Sequence, residues 1–130
     1  MFILNSKKVM KPAILIKRIY EPVDKNDGYR ILVDRLWPRG LKKEKAHIKE
    51  WAKSIAPSTE ARVAFGHVPE HWSAFKQQYL QELQFNADIP YYLDKWENFP
   101  TITLLYAAKD EEHNHALVLQ EYLEKEYQAE

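Results

Sequence analysis

Apolar and polar positions along this chain follow two different periods, and the places where the period changes mark its elements. Ala13–Tyr20 (A-I-L-I-K-R-I-Y) predicts a strand. Tyr29–Leu36 (Y-R-I-L-V-D-R-L) predicts a second, buried at Ile31–Val33 and turning polar at Asp34 and Arg35. Between them stand Pro22, Asn26, Asp27 and Gly28, all residues with specific turn uses. That connection is shorter than the roughly dozen residues of a helical crossover, so the strands are either antiparallel neighbours or joined by a compressed crossover. Trp37-Pro38-Arg39-Gly40 then breaks the strand, because Pro38 lacks a donor and Gly40 permits positive φ.

Helical spacing takes over from there. Ile48, Trp51, Ala52 and Ile55 form one apolar stripe, which predicts a helix ended by Pro57. Ser58 or Thr59 can cap a short helix with stripe Ala61, Ala64 and Phe65, stopped by Gly66. Pro69 suits the first turn of a helix carrying Trp72, Phe75, Tyr79 and Leu83. Asp88 can cap another, with Ile89, Tyr92, Leu93 and Trp96. The stretch Thr101–Ala116 opens with the pattern of a buried strand, apolar over Thr103–Tyr106 and giving way to a loop after Ala107, and Ala116, Leu119, Tyr122 and Leu123 mark a last helix. The expected fold is a compact α/β domain, a small sheet packed by amphipathic helices. Residues 1–11 show no period and read as an N-terminal extension, leaving 12–127 as a single domain.

Composition narrows what such a domain does. Nineteen basic residues balance nineteen acidic ones, which disfavours nucleic acid as a partner. The chain has no cysteine, hence no disulfide, no thiolate nucleophile and no Cys-ligated metal. No apolar run approaches the roughly 18–20 residues that span a bilayer, and the N-terminus lacks the order of a secretory signal, so the expected location is cytoplasmic.

Ligands of open α/β sheets collect where strands end and helices begin. Two stretches fit that place. Asp34 and Arg35 sit where the second strand runs out, with Trp37 and Arg39 just beyond, and the polar knot Asp110-Glu111-Glu112-His113-Asn114-His115 follows the last. A guanidinium is a planar fork of donors suited to carboxylate or phosphate oxygens, so Arg35 and Arg39 are candidate anion ligands. The competing reading makes Asp34 and an arginine an ion pair tying two loops together, with Trp37 as a lid on the core. Asp110 is placed to cap the last helix, and Glu111 and Glu112 suit its positive end. On a regular helix His113 and His115 would point about 200° apart, so both cannot serve one metal, and no metal site is expected. Asp110 with His113, or Glu112 with His115, has the spacing that shares a face. Either histidine can act as a general acid–base near neutral pH. His67, after the helix stop at Gly66, joins Trp37 as a candidate pocket wall.

The motifs R-I-Y-E-P, D-G-Y-R-I-L-V-D-R-L-W-P-R-G-L, I-A-P-S-T-E, F-G-H and L-L-Y-A-A-K-D-E-E-H-N-H-A occur in that order between about Lys17 and Glu124. Together they resemble the YeaO-like proteins, a bacterial family carrying a domain of unknown function. The resemblance implies an α/β fold with a small Rossmann-like, mostly parallel sheet packed by amphipathic helices, and a site near Asp34–Arg39 and Asp110–His115. A broader set of related domains carries Cys-His-Arg in the last motif, where this chain reads Asn114-His115-Ala116.

The leading expectation is a small enzyme acting on an anionic, phosphate-bearing or nucleotide-like substrate. Arg35 and Arg39 would bind the anion, His113 or His115 would move a proton, and Asp34 or Asp110 would orient that histidine. The alternative is a non-catalytic ligand-binding or protein-interaction module, with nucleic-acid binding as a third, weaker reading. No motif identifies a cofactor or an oligomeric state.

Overall fold

A computed structural model describes residues 11–129, so the expected N-terminal extension lies, but for Lys11, outside the described residues. Four strands form one all-parallel sheet: β1 (Ala13–Arg18), β2 (Tyr29–Leu32), β3 (Glu50–Trp51) and β4 (Thr101–Tyr106). Their spatial order is β1-β4-β2-β3. The helices are α1 (Lys43–Ala46), α2 (Thr59–Phe65), α3 (Trp72–Gln84), α4 (Ile89–Trp96) and α5 (His115–Ala129).

Pleating divides the apolar residues of the strands between two cores. Ile14, Ile31, Ile102, Leu104 and Tyr106 face a large cluster built with Phe65, Phe75, Tyr79, Leu83, Trp96, Leu119 and Leu123 of the longer helices. Leu32 and Leu105 point the other way, into a small cluster with Ile19, closed by Trp37, Leu41, Ile48 and Trp51. Helices α2 to α5 thus cover one face, and the segment after β2, which includes α1, covers the other.

Of the two alternatives for β1 and β2, the compressed crossover is the one found: the strands are not antiparallel neighbours, because β4 lies between them and pairs in parallel with both. The short connection steps over one strand, a lateral move of about 10 Å that needs no helix. Its sharp turn requires Gly28 (φ 65°), where a Cβ would come within 2.3 Å of the Thr101 carbonyl oxygen.

The stripe Ile48–Ile55 is no helix. It holds β3 and a 3₁₀ turn, Lys53–Ile55. Extended pairing with β2 satisfies its backbone while Ile48 and Trp51 cover the small cluster. The second strand is also shorter than its apolar run, ending at Leu32, although the Val33 N–H still donates to Leu105 O.

The remaining helices follow the sequence. Ser58 caps α2 by accepting from the Ala61 N–H, and Gly66 (φ 56°) ends it. Asp88 occupies the cap position of α4 without capping it; its N–H donates instead to Asn86 Oδ1. No helix of the described residues is long and apolar enough to cross a membrane.

Candidate functional site

The carboxyl ends of β2 and β4 are adjacent, so the two stretches singled out in the sequence meet. Ala107 N–H donates to Asp34 Oδ2 at 3.1 Å, and the indole of Trp51 donates to Asp34 O at 2.6 Å. Arg18 holds the second loop from the β1 side, donating to Ala108 O (2.9 Å) and Ala107 O (3.3 Å). Between these loops and α2 opens a crevice of about 520 Å³. Its walls include Asp34, Arg35, Trp37, Arg39, His67, His113 and His115, seven of the eight residues selected from the sequence.

The eighth, Asp110, stands behind the wall. It does not cap α5, which starts at His115; Asn114 does, accepting the Leu117 N–H on Oδ1. Asp110 instead closes a tight turn. Its Oδ1 accepts from the Glu112 and His113 N–H groups, and its Oδ2 contacts His113 Nδ1 at 2.9 Å. The Glu112 amide, then the His113 ring, hold the Asp110 carboxyl below the ordinary aspartate range. The Trp72 ring stands nearly perpendicular to the His113 ring, with the ring centres 5.4 Å apart. Asp110 and His113 therefore pair at the expected spacing, through a loop rather than one face of a helix.

His115 pairs with Asp34 and not with Glu112. His115 Nε2 and Asp34 Oδ1 lie 2.8 Å apart, with both side chains about 15% exposed. The approach is not aligned as a hydrogen bond, and neither atom has another hydrogen-bond partner among the described residues. Asp34 thus has one oxygen satisfied by backbone and one facing an imidazole.

The two predicted anion ligands differ. Arg35 is spent on architecture: its Nε donates to Pro57 O (2.8 Å) and its Nη2 to Ala56 O (2.9 Å), which sets the start of α2. Carbonyls leave its charge uncancelled. Arg39 is exposed, and its side chain has no hydrogen bond or ion pair among the described residues. Trp37 donates its indole N–H to Leu41 O (2.8 Å) and packs edge-on against Trp51. His67 sits at positive φ (59°), sparsely populated for a side-chain-bearing residue, with its ring centre 5.9 Å from that of Phe65.

Sequence reading missed Arg62. It lies on α2 beside buried Ala61, lines the crevice, and is as unpartnered as Arg39. Its position at the border of the Ala61–Phe65 stripe was the available signal. Among the described residues lining the crevice, Asp34 is the only carboxylate, against Arg35, Arg39 and Arg62. No group of three or more His, Cys, Asp or Glu side chains among the described residues is placed to hold a metal ion.

Comparison with known proteins agrees with the motifs. An uncharacterised protein of Escherichia coli K12, YeaO, is 47% identical over 110 residues, covering 85% of this chain and 96% of that protein. The uncharacterised Rv3073c of Mycobacterium tuberculosis H37Rv is 35% identical over 115 residues, covering 88% and 97%. No solved structure matches the chain. Residues 13–130 match a family described as the inactive DUF488-N3 subclade, and with YeaO alike over nearly its whole length, this chain belongs to that YeaO-like family of unknown function.

Proposed function

We propose that this protein binds a small anionic ligand in the crevice and does not turn it over through a covalent step. The observation that carries the reading is the pair of unpartnered guanidinium groups, Arg39 and Arg62, on the walls of a concave site with a single carboxylate. A ligand anion would supply the partner they lack, in the planar geometry that arginine favours.

The lack of a cysteine nucleophile supports the second half of the proposal. Asn114 stands where the broader set of related domains carries cysteine, and its amide is used locally: Nδ2 donates to Asp110 O, and Oδ1 accepts from Leu117. The word "inactive" in the family's description points the same way.

The test is a thermal-shift and calorimetry screen with phosphate, sulfate, small carboxylates and nucleoside monophosphates. A ligand at about 100 times its Kd stabilises the fold by about 2.7 kcal/mol. The double variant Arg39→Ala/Arg62→Ala should keep its unliganded melting temperature and lose the ligand-induced rise. An equal rise in the variant, or no rise with any anion, would sink the reading.

One observation favours a second reading, acid–base chemistry. The Asp34–His115 contact places an imidazole against a carboxylate at the crevice wall with neither atom otherwise satisfied. Mass spectrometry of any ligand found, after incubation with the protein and with Asp34→Asn, separates the two. Product formed only by the unaltered protein would establish turnover.

A further inference from the structure

The zero net charge of this chain conceals a strong segregation. Between residues 39 and 53 lie six basic side chains and two acidic ones. Of the two acids, Glu50 is engaged by Lys95, the Trp96 indole and the Tyr29 hydroxyl, which leaves Glu44 alone to offset the cations. Lys42, Lys43, Lys45 and Lys49 are exposed and carry no hydrogen bond or ion pair among the described residues. Lys53 lies over the Trp51 ring, 4.8 Å from its centre.

This segment is anchored, not loose. Buried Arg30 donates to Ala46 O (3.0 Å) and His47 O (3.1 Å), and Trp37 donates to Leu41 O. Leu41, Ala46 and Ile48 turn inward while the lysines turn out. Protection of the sheet edge accounts for Lys49 and Lys53, which flank β3. It does not account for Lys42, Lys43 and Lys45, which precede that strand by five to eight residues in the chain. Their row begins three residues beyond Arg39, at the mouth of the crevice.

The crevice supplies a complementary feature. Leu36 (60% exposed) and Val63 (74% exposed) both line it, beside Tyr20 and Trp37. An anion alone has no use for exposed apolar and aromatic walls, whereas an unstacked base does. A regularly spaced chain of phosphates has a use for the lysine row.

We propose that the crevice and the basic segment form one surface for a single-stranded polynucleotide, with one nucleotide in the crevice and the adjoining backbone phosphates along Lys42–Lys49. The inference rests on the crevice being an anion site. A duplex would not present a base to such a crevice, so the single strand is the occupant that uses both features.

Fluorescence anisotropy on the full chain tests it, with labelled oligothymidylate and oligouridylate of about ten nucleotides at roughly 0.15 M salt, beside the corresponding nucleoside monophosphates. Oligomers should bind at least about tenfold tighter than monophosphates and weaken steeply with added salt. The triple variant Lys42→Glu/Lys43→Glu/Lys45→Glu should lose about tenfold or more on oligomers and nothing on monophosphates. Arg39→Ala/Arg62→Ala should weaken both. If the charge reversal disturbs folding, the triple Lys→Gln variant serves, with a loss of about threefold or more.

Monophosphates bound as tightly as oligomers would overturn this inference and leave the crevice reading standing. So would inorganic polyphosphate competing as well as the oligomers, or a lysine triple variant that binds oligomers unchanged. Failure of every anion and every oligomer to bind would remove both readings.

Discussion

Two aspartates flanking β2, one buried and one half-buried, live in opposite circumstances. Asp27, just before β2, has every polar atom matched. Lys17 contacts its Oδ1 at 3.0 Å, Arg30 and the Asp24 N–H donate to Oδ2, and the Thr103 hydroxyl donates to its carbonyl at 2.6 Å. Its cations are matched too: Lys17 also reaches Pro22 O, and Arg30 reaches Ala46 O and His47 O. Asp34, just after β2, has one oxygen bonded to backbone and one facing His115 without an aligned hydrogen bond. A saturated polar cluster is a joint, since nothing can be added to it and little can be removed cheaply. An unsaturated one at a crevice retains capacity for a ligand.

The largest expected effect comes from breaking the joint. Asp27→Ala strands Lys17 and Arg30 in a site with little access to water, at about 3–5 kcal/mol in urea denaturation. A loss under about 1 kcal/mol would mean that the cluster relaxes into solvent and that the contrast with Asp34 is false.

Gly28→Ala attacks the same region through the backbone. Positive φ and the Thr101 carbonyl 2.3 Å from the new Cβ should cost at least about 1–3 kcal/mol. Unchanged denaturation would show that the turn can move away from β4.

Acid titration reads the contrast without a large structural change. Burial raises the Asp27 carboxyl pKa, but the Asp24 amide, Lys17 and Arg30 outweigh it, and the net direction is down. A depressed folded pKa means that the associated stability is full above the ordinary aspartate value, near pH 4, and is lost as pH falls through the lower folded value. Stability measured from about pH 5 down to pH 2 should therefore fall, and Asp27→Asn should flatten that fall. An acid limb of the same slope in the variant would assign it to other carboxylates.

Smallest are the effects at the crevice. Arg39→Ala and Arg62→Ala should each change stability by less than about 0.5 kcal/mol, because neither strands a partner. A loss of about 2 kcal/mol or more from either would place that arginine among the structural groups, like Arg35.

Local physics made much of this molecule legible from sequence. Ser58 and Gly66 bound α2 because a side-chain acceptor and a left-handed residue act within one turn of the chain. The stripe Phe75, Tyr79 and Leu83 is buried because helical period alone puts those residues on one face. The two polar stretches after β2 and β4 could be found because strand ends announce themselves by a change from apolar to polar residues.

What tertiary structure decided is everything that depends on which elements become neighbours. Ile48–Ile55 has helical spacing, yet β2 offered an open edge and the small cluster needed Ile48 and Trp51, so pairing overrode period. Asp110 looked like a helix cap, but Asn114 took that role and Asp110 was left to orient His113. Insertion of β4 between β1 and β2 brought His115 to Asp34, and the packing of α2 on α3, with its start held by Arg35, put Arg62 on the crevice wall. Hydrogen bonds within a turn are encoded by adjacent residues. Strand order and the meeting of distant side chains are settled only when the whole chain closes on one core, because burial rewards the assembly and not any single segment.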